Sequence, residues 1–247
     1  MPMQLSYNWL LVLFSYAVSV LGSFTALQLA VAIPLATTQR QKTASVAMAG
    51  GAMGLGAIWA MHFIAMLACD NGMQVTYNPS LTALSALVAF ASCSGGLMLV
   101  GSGRFSWLRL LAAGTCMGLG VGSMHYLGMG AMMMPAAVSY DTGLVITSLI
   151  IAIAASMVAL WLAFNLRGPW QMIASALVMG VAVCGMHYTG MAAVNFYDND
   201  GQLQDGYAEG LRGANLGLTV FAIVTTLLVV LLVLYYWRQR YRSSISI

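Results

Sequence analysis

Seven long apolar runs, separated by short polar segments, dominate the hydropathy pattern of this chain. They lie near 9–33, 44–69, 80–101, 107–135, 143–165, 170–195 and 215–237. Each can cross a bilayer, which takes about 20 residues. Apolar residues run on within each segment instead of alternating, and backbone polar groups in lipid must be satisfied inside the chain. The pattern therefore predicts an all-α integral membrane protein. Its seven transmembrane helices fill one domain over residues 1–237, followed by a short basic tail, 238–247. Pro34 and Pro79 fall at predicted helix ends, where proline is tolerated, and Pro135 marks the predicted end of the fourth span.

The few charged residues set an orientation. Arg40, Lys42, Arg104, Arg109, Arg167, Arg238, Arg240 and Arg242 all fall on one side of the predicted spans. The other side holds Arg212 and every acid: Asp70, Asp141, Asp198, Asp200, Asp205 and Glu209. By the positive-inside rule the N-terminus is outside and the C-terminus cytoplasmic. The first run lacks the basic n-region of a signal peptide and is read as a span.

One phrase recurs three times inside the apolar runs: Ala60-Met61-His62-Phe63-Ile64-Ala65-Met66, Ser123-Met124-His125-Tyr126-Leu127-Gly128-Met129 and Gly185-Met186-His187-Tyr188-Thr189-Gly190-Met191. The chain has no other histidine. The histidines are 63 and 62 residues apart, a period that marks an internal repeat. The expected units are three helix pairs with the seventh helix left over, and the motif rides on the even helices. Those helices run parallel, so the motifs share a depth of roughly 10 Å below the outer surface. His125, counted back from Pro135, is expected slightly deeper than the others.

On a helix His62 and Met66 share a face, as do His125 with Met129 and His187 with Met191. Met61, Met124 and Met186 are rotated by about 100° and flank the site or pack on a neighbour. Seven residues past each histidine, on the same helical face, stand Cys69, Met132 and Val194; Cys184 precedes His187 by three. Cys69, Met132 and Cys184 are thus additional candidate ligands, and the hydroxyls of Tyr126 and Tyr188 candidates to orient the ligands. Thioethers select soft ions, above all Cu(I), and imidazole suits copper. Zinc prefers histidine, cysteine or carboxylate, and magnesium and calcium need oxygen. Metal binding takes the neutral imidazole. The expected cofactor is copper, as Cu(I).

Composition narrows the alternatives. Charged residues are 6% of the chain and hydrophobic ones 61%, so no basic nucleic-acid surface exists. Most of the 19 methionines read as adaptable packing, and the four cysteines show no disulfide framework. Gly114, Gly118 and Gly122 form a small-residue ridge for close helix approach. Lys42, the single lysine, lies in a loop, which excludes retinal in its usual linkage. No carboxylate, serine or cysteine stands in a catalytic arrangement with the histidines, so no enzyme activity is expected. Copper transport or delivery is an alternative, kept open by the deeper Met48, Met53, Met117 and Met179. Haem is another, though three equivalent histidines suit it poorly.

Met186-His187-Tyr188-Thr189 resembles, letter for letter, the motif for which the MHYT domain is named, and Met124-His125-Tyr126-Leu127 is close to it. The first copy departs at Phe63 and Ile64, the second at Leu127; all three keep Met and His. The resemblance covers essentially the whole chain. It implies a bacterial inner-membrane sensor domain, copper held by the motif's Met and His residues in the outer half of the bilayer, and O2, CO or NO as signal. It also implies a cytoplasmic output, cyclic-di-GMP synthase or phosphodiesterase or similar, in the same or another chain. A homodimer is expected by analogy with such outputs.

Overall fold

Polar caps start the helices of the computed structural model, which describes residues 6–70, 72–103, 105–165, 168–198 and 204–245. Asn8 Oδ1 accepts from the amides of Leu10 and Leu11 and opens α1 (Trp9–Ala30). Thr38 caps the helix α2 (Gln39–Leu67) in the same way. Asn78 caps α3 (Pro79–Val100), with proline in the first turn, where its missing N–H costs nothing. Then come α4 (Trp107–Gly130), α5 (Thr142–Asn165), α6 (Pro169–Ala192) and α7 (Gly213–Ile245). Helices α1 to α6 are long and apolar enough to cross a membrane, and the protein is a multi-pass membrane protein. The apolar stretch of α7, Thr219–Leu234, is shorter.

Each helix from α1 to α6 packs on the next, and α6 returns to α1 to close a ring. Helix α7 lies outside the ring against α2 and α1. That extra cover explains why the apolar window of α2 is 83% buried, against 28–50% for the other five. The predicted glycine ridge packs on α5: a Cβ on Gly118 would stand 2.5 Å from Ile153 Cα, so only glycine allows this backbone approach. Inside α2 the segment Ala52–Trp59 is π-helical, a wider turn common near functional sites.

Short antiparallel strands tie each helix pair at one end. Strand β1 (Ser6–Tyr7) pairs with β2 (Cys69–Asp70), β3 (Thr76–Tyr77) with β4 (Met132–Met133), and β5 (Ala136–Tyr140) with β6 (Val194–Asp198). β7 (Leu211–Arg212) adds to the other edge of β3. The same end carries a threefold hydrogen bond. The amides of Asn8, Asn78 and Asp141 donate to the carbonyls of Ala68, Ala131 and Ala193, each at 2.8 Å. The repeat is thus strand–helix–helix–strand, which keeps the expected helix pairs and adds strands that hydropathy did not show.

These ties correct several predicted ends. The second span stops at Leu67, not 69, and the fourth at Gly130, five residues before Pro135. The backbone there leaves the helix to join a strand, so proline is not the terminator. Helix α7 runs to Ile245, through most of the predicted tail. Asp70, Asp141, Asp198 and Arg212 lie in or beside the strands, whereas Lys42 and Arg109 meet at the opposite end, both on Ser102. Arg104, Arg167 and Asp200 lie outside the described residues.

Candidate metal centre

His62 to Leu67, His125 to Gly130 and His187 to Ala192 are each five residues, so every motif histidine sits at the same distance from its helix end. At about 1.5 Å per residue this is about 7–8 Å. His125 is therefore level with the others, not deeper, because α4 ends where its strand begins.

The three rings meet on the bundle axis with exposures of 1%, 0% and 0%. His62 Nδ1 lies 3.1 Å from His187 Nδ1 and 3.2 Å from His125 Nδ1. The three rings lie nearly perpendicular to one another, with centroids 4.9–5.1 Å apart. The Nε2 atoms face outward, buried and without a hydrogen-bond partner among the described residues. His62 Nε2 rests on Gly128, and His125 Nε2 rests on Gly190, where a Cβ would collide with each ring. The small residue three after each histidine is thus the seat of the previous repeat's ring, and Ala65 holds the equivalent place in the first motif.

This donor set fits a cation. With the proton on Nε2, three Nδ1 lone pairs converge in a site without water, and nothing in the chain offsets their repulsion. One Nδ1 proton satisfies only one of the contacts. Nitrogens 3.1–3.2 Å apart leave room for an ion bound at about 2.0 Å from each. His62, His125 and His187 also form the metal-competent group of the described residues, with ligand atoms within 4.8 Å of one another.

The motif is a family signature. The family described as "MHYT: Bacterial signalling protein N terminal repeat" matches residues 54–113, 118–176 and 180–244. The chain belongs to the MHYT family. Among curated relatives, this MHYT chain is 41% identical over 236 residues to the bifunctional diguanylate cyclase/cyclic di-GMP phosphodiesterase MucR of Pseudomonas aeruginosa, covering 93% of this chain and 33% of that protein. It is 36% identical to the cyclic di-GMP phosphodiesterase NbdA of the same organism, over 76% of this chain and 24% of the relative. It is 33% identical to the signaling protein YkoW of Bacillus subtilis, over 80% of this chain and 25% of the relative. The chain thus spans a quarter to a third of these relatives' length. No solved structure matches significantly. The family repeat is phased from one motif helix to the next odd helix, so it takes in α7 and leaves α1 outside.

Around the histidines of this MHYT chain, all six motif methionines are buried. Met186 lines a cavity on the side of the histidine layer away from the strands, and Met66 lines a larger vestibule near the strands. Cys69 and Met132 line that vestibule too, but from strands β2 and β4. The expected shared helical face does not reach them, nor Val194, because each helix has already ended. Cys184 is half-buried on α6. The Tyr126 hydroxyl pairs with Ser148 Oγ at 2.7 Å and that of Tyr188 with Ser15 Oγ at 3.4 Å, so both reach neighbouring helices instead of the imidazoles. Sequence reading missed the seats Gly128 and Gly190 and the capping residues Asn8, Asn78 and Asp141; equal placement in each repeat was the available signal.

Burial pushes the Cys69 thiol up from 9.0 to about 11; its hydrogen bond with Tyr7 works the other way and neighbouring Asp70 adds to the rise. The folded state therefore favours the protonated thiol. Its contribution to stability is complete below pH 9 and is lost as pH climbs through about 11. Site-resolved alkylation should show Cys69 reacting about tenfold faster per pH unit from pH 8 to 10, since thiolate is the nucleophile. A plateau near pH 9 would mark an ordinary thiol.

Proposed function

We propose that this domain is the sensor part of a bacterial inner-membrane signalling system that holds copper, as Cu(I), between His62, His125 and His187. The proposed signal is a diatomic gas, O2, CO or NO, or a change of redox state. The observation that carries this reading is the meeting of three buried imidazoles, with His62 Nδ1 3.1 Å from His187 Nδ1 and 3.2 Å from His125 Nδ1. Bound Cu(I) would supply an open, electron-rich position for a small ligand. The chain's own part is to hold three neutral imidazoles level, seat two of them on glycine, and keep water out. The motif methionines surround the centre with soft, uncharged side chains, which suit a monovalent ion at low dielectric. Haem is disfavoured, since its axial nitrogens bind from opposite faces of a macrocycle and these nitrogens nearly touch.

Seven spans with the N-terminus outside and the C-terminus cytoplasmic are supported by the separation of the acids around the strands from Lys42 and Arg109 at the far end. On this orientation the centre lies in the outer half of the bilayer. Helix α7 offers a relay. Leu228 packs on Gly56, inside the π-helical turn of the helix that carries His62, and α7 then continues to Ile245. A shift of α2 is thereby passed to the cytoplasmic end, where the output acts in the same chain or another. The names of the relatives favour a cyclic-di-GMP enzyme for that output, and the domain itself is not catalytic. Exposed Ile223, Val229 and Val233 on α7 give a homodimer its face.

Infrared spectroscopy of the Cu(I)-loaded protein under CO tests the gas arm. A bound C–O stretch is expected in the wild type and its absence in His125→Ala. A loaded wild type that leaves the gas band unshifted would sink it.

A further inference from the structure

Below the histidine layer the repeat places a second set of soft side chains. Met53 precedes His62 by nine residues, and Met117 and Met179 precede His125 and His187 by eight. The extra residue in α2 falls in the π-helical turn Ala52–Trp59, whose wider winding absorbs it and keeps the three methionines in equivalent places. Their exposures are 1%, 2% and 4%. All three line one cavity of about 30 Å³, together with Met186, Ser23 and Ser156. Gly96 of α3 leaves the room that the Met117 sulfur takes. Ser23 is fully buried, and its Oγ has no hydrogen-bond partner among the described residues.

A cavity of this size admits one small body, since a water needs about 10–15 Å³. A dry hole lined by Leu-like side chains would leave Ser23 Oγ orphaned at a cost of about 1–3 kcal/mol. Four thioethers and two hydroxyls, with no carboxylate or imidazole, select a soft monovalent cation. We infer that Met53, Met117 and Met179, with Ser23 beside them, form a second soft-cation site for Cu(I) or Ag(I), inward of the histidine centre. The site does not require the histidine centre to be loaded. It lies about 12 Å along the helices from that centre, so the two ions repel only weakly.

Ag(I) titration of the whole purified protein, in a cysteine-free background, tests this. The expected stoichiometry is two ions per chain. Met53→Leu/Met117→Leu/Met179→Leu, which conserves volume, should lose one, and His62→Ala/His125→Ala/His187→Ala should lose the other. X-ray absorption of the histidine-free protein should then show sulfur neighbours and no imidazole. A Leu variant that keeps the wild-type stoichiometry, or a histidine-free protein that binds nothing, overturns the site in favour of a water held by Ser23 and Ser156. Failure of the histidine centre alone would instead appear as one ion in the wild type, lost only in the Leu variant. If the triple Leu variant does not fold, Ser23→Ala or Met179→Leu in the histidine-free protein should weaken Ag(I) binding by about tenfold; unchanged affinity in both overturns the proposal.

Discussion

Copper bound to the purified protein should fall by about one ion per chain, the histidine centre losing its ion almost entirely and the inner methionine site keeping its own, when any one of His62, His125 or His187 is changed to alanine, because a shared soft-ion site cannot keep its ion on two imidazoles in a dry core. The three histidines are level along their helices, His62 Nδ1 lies 3.1 Å and 3.2 Å from the other two Nδ1 atoms, and the ligand atoms of all three lie within 4.8 Å of one another. Removing one ring deletes a ligand and opens a buried hole that no other donor fills. Even loss of an outer hydrogen-bonding partner of a metal ligand typically costs 10–100-fold in affinity, and loss of the ligand should exceed that. Metal analysis beside a thermal melt separates lost metal from lost fold. Loss by thirds would mean three independent sites. A folded wild type that holds no copper, and takes up no Cu(I) on reconstitution, would sink the copper proposal. The motifs would then be helix packing or a proton-linked switch.

Gly128→Ala and Gly190→Ala should cost the histidine centre its metal almost as completely, although neither residue is a ligand. A methyl on Gly128 meets the Nε2 edge of the His62 ring, and one on Gly190 meets that of His125. Neither ring has free space to retreat into. Overpacking of this kind costs about 1–3 kcal/mol, and here the ring that must move is a ligand. Copper affinity should therefore drop by about 10–100-fold, by analogy with displaced ligand supports. The controls lie in the same motif helices: a Cβ on Gly130 or Gly185 has no heavy atom within 4 Å, so Gly130→Ala and Gly185→Ala should bind as the wild type does. Equal loss in all four variants would trace the effect to helix stability instead of ring position.

Much of this architecture was legible from the chain. Continuous apolar runs announced membrane helices because lipid permits little else, and the spacing of His62, His125 and His187 announced a repeat that puts the motif on alternate helices. The helix ends did not follow. They depend on the amides of Asn8, Asn78 and Asp141 reaching Ala68, Ala131 and Ala193, contacts that span between 50 and 60 residues of chain and leave no local signature. For that reason Cys69, Met132 and Val194 were placed on a helical face they do not share, and His125 was placed too deep.

The sequence by itself determined that the histidines are the chain's unusual residues, that three equivalent helices carry them, and that soft ligands accompany them. Composition and period are local quantities, and they survive without coordinates. Only the tertiary structure decided that Nδ1 atoms turn inward, that Gly128 and Gly190 seat the rings, and that Met53 joins Met117 and Met179 around one cavity. Those facts depend on the rotation of each helix about its own axis and on one π turn in α2. Both are set by packing between helices that are distant in sequence, which no single segment encodes.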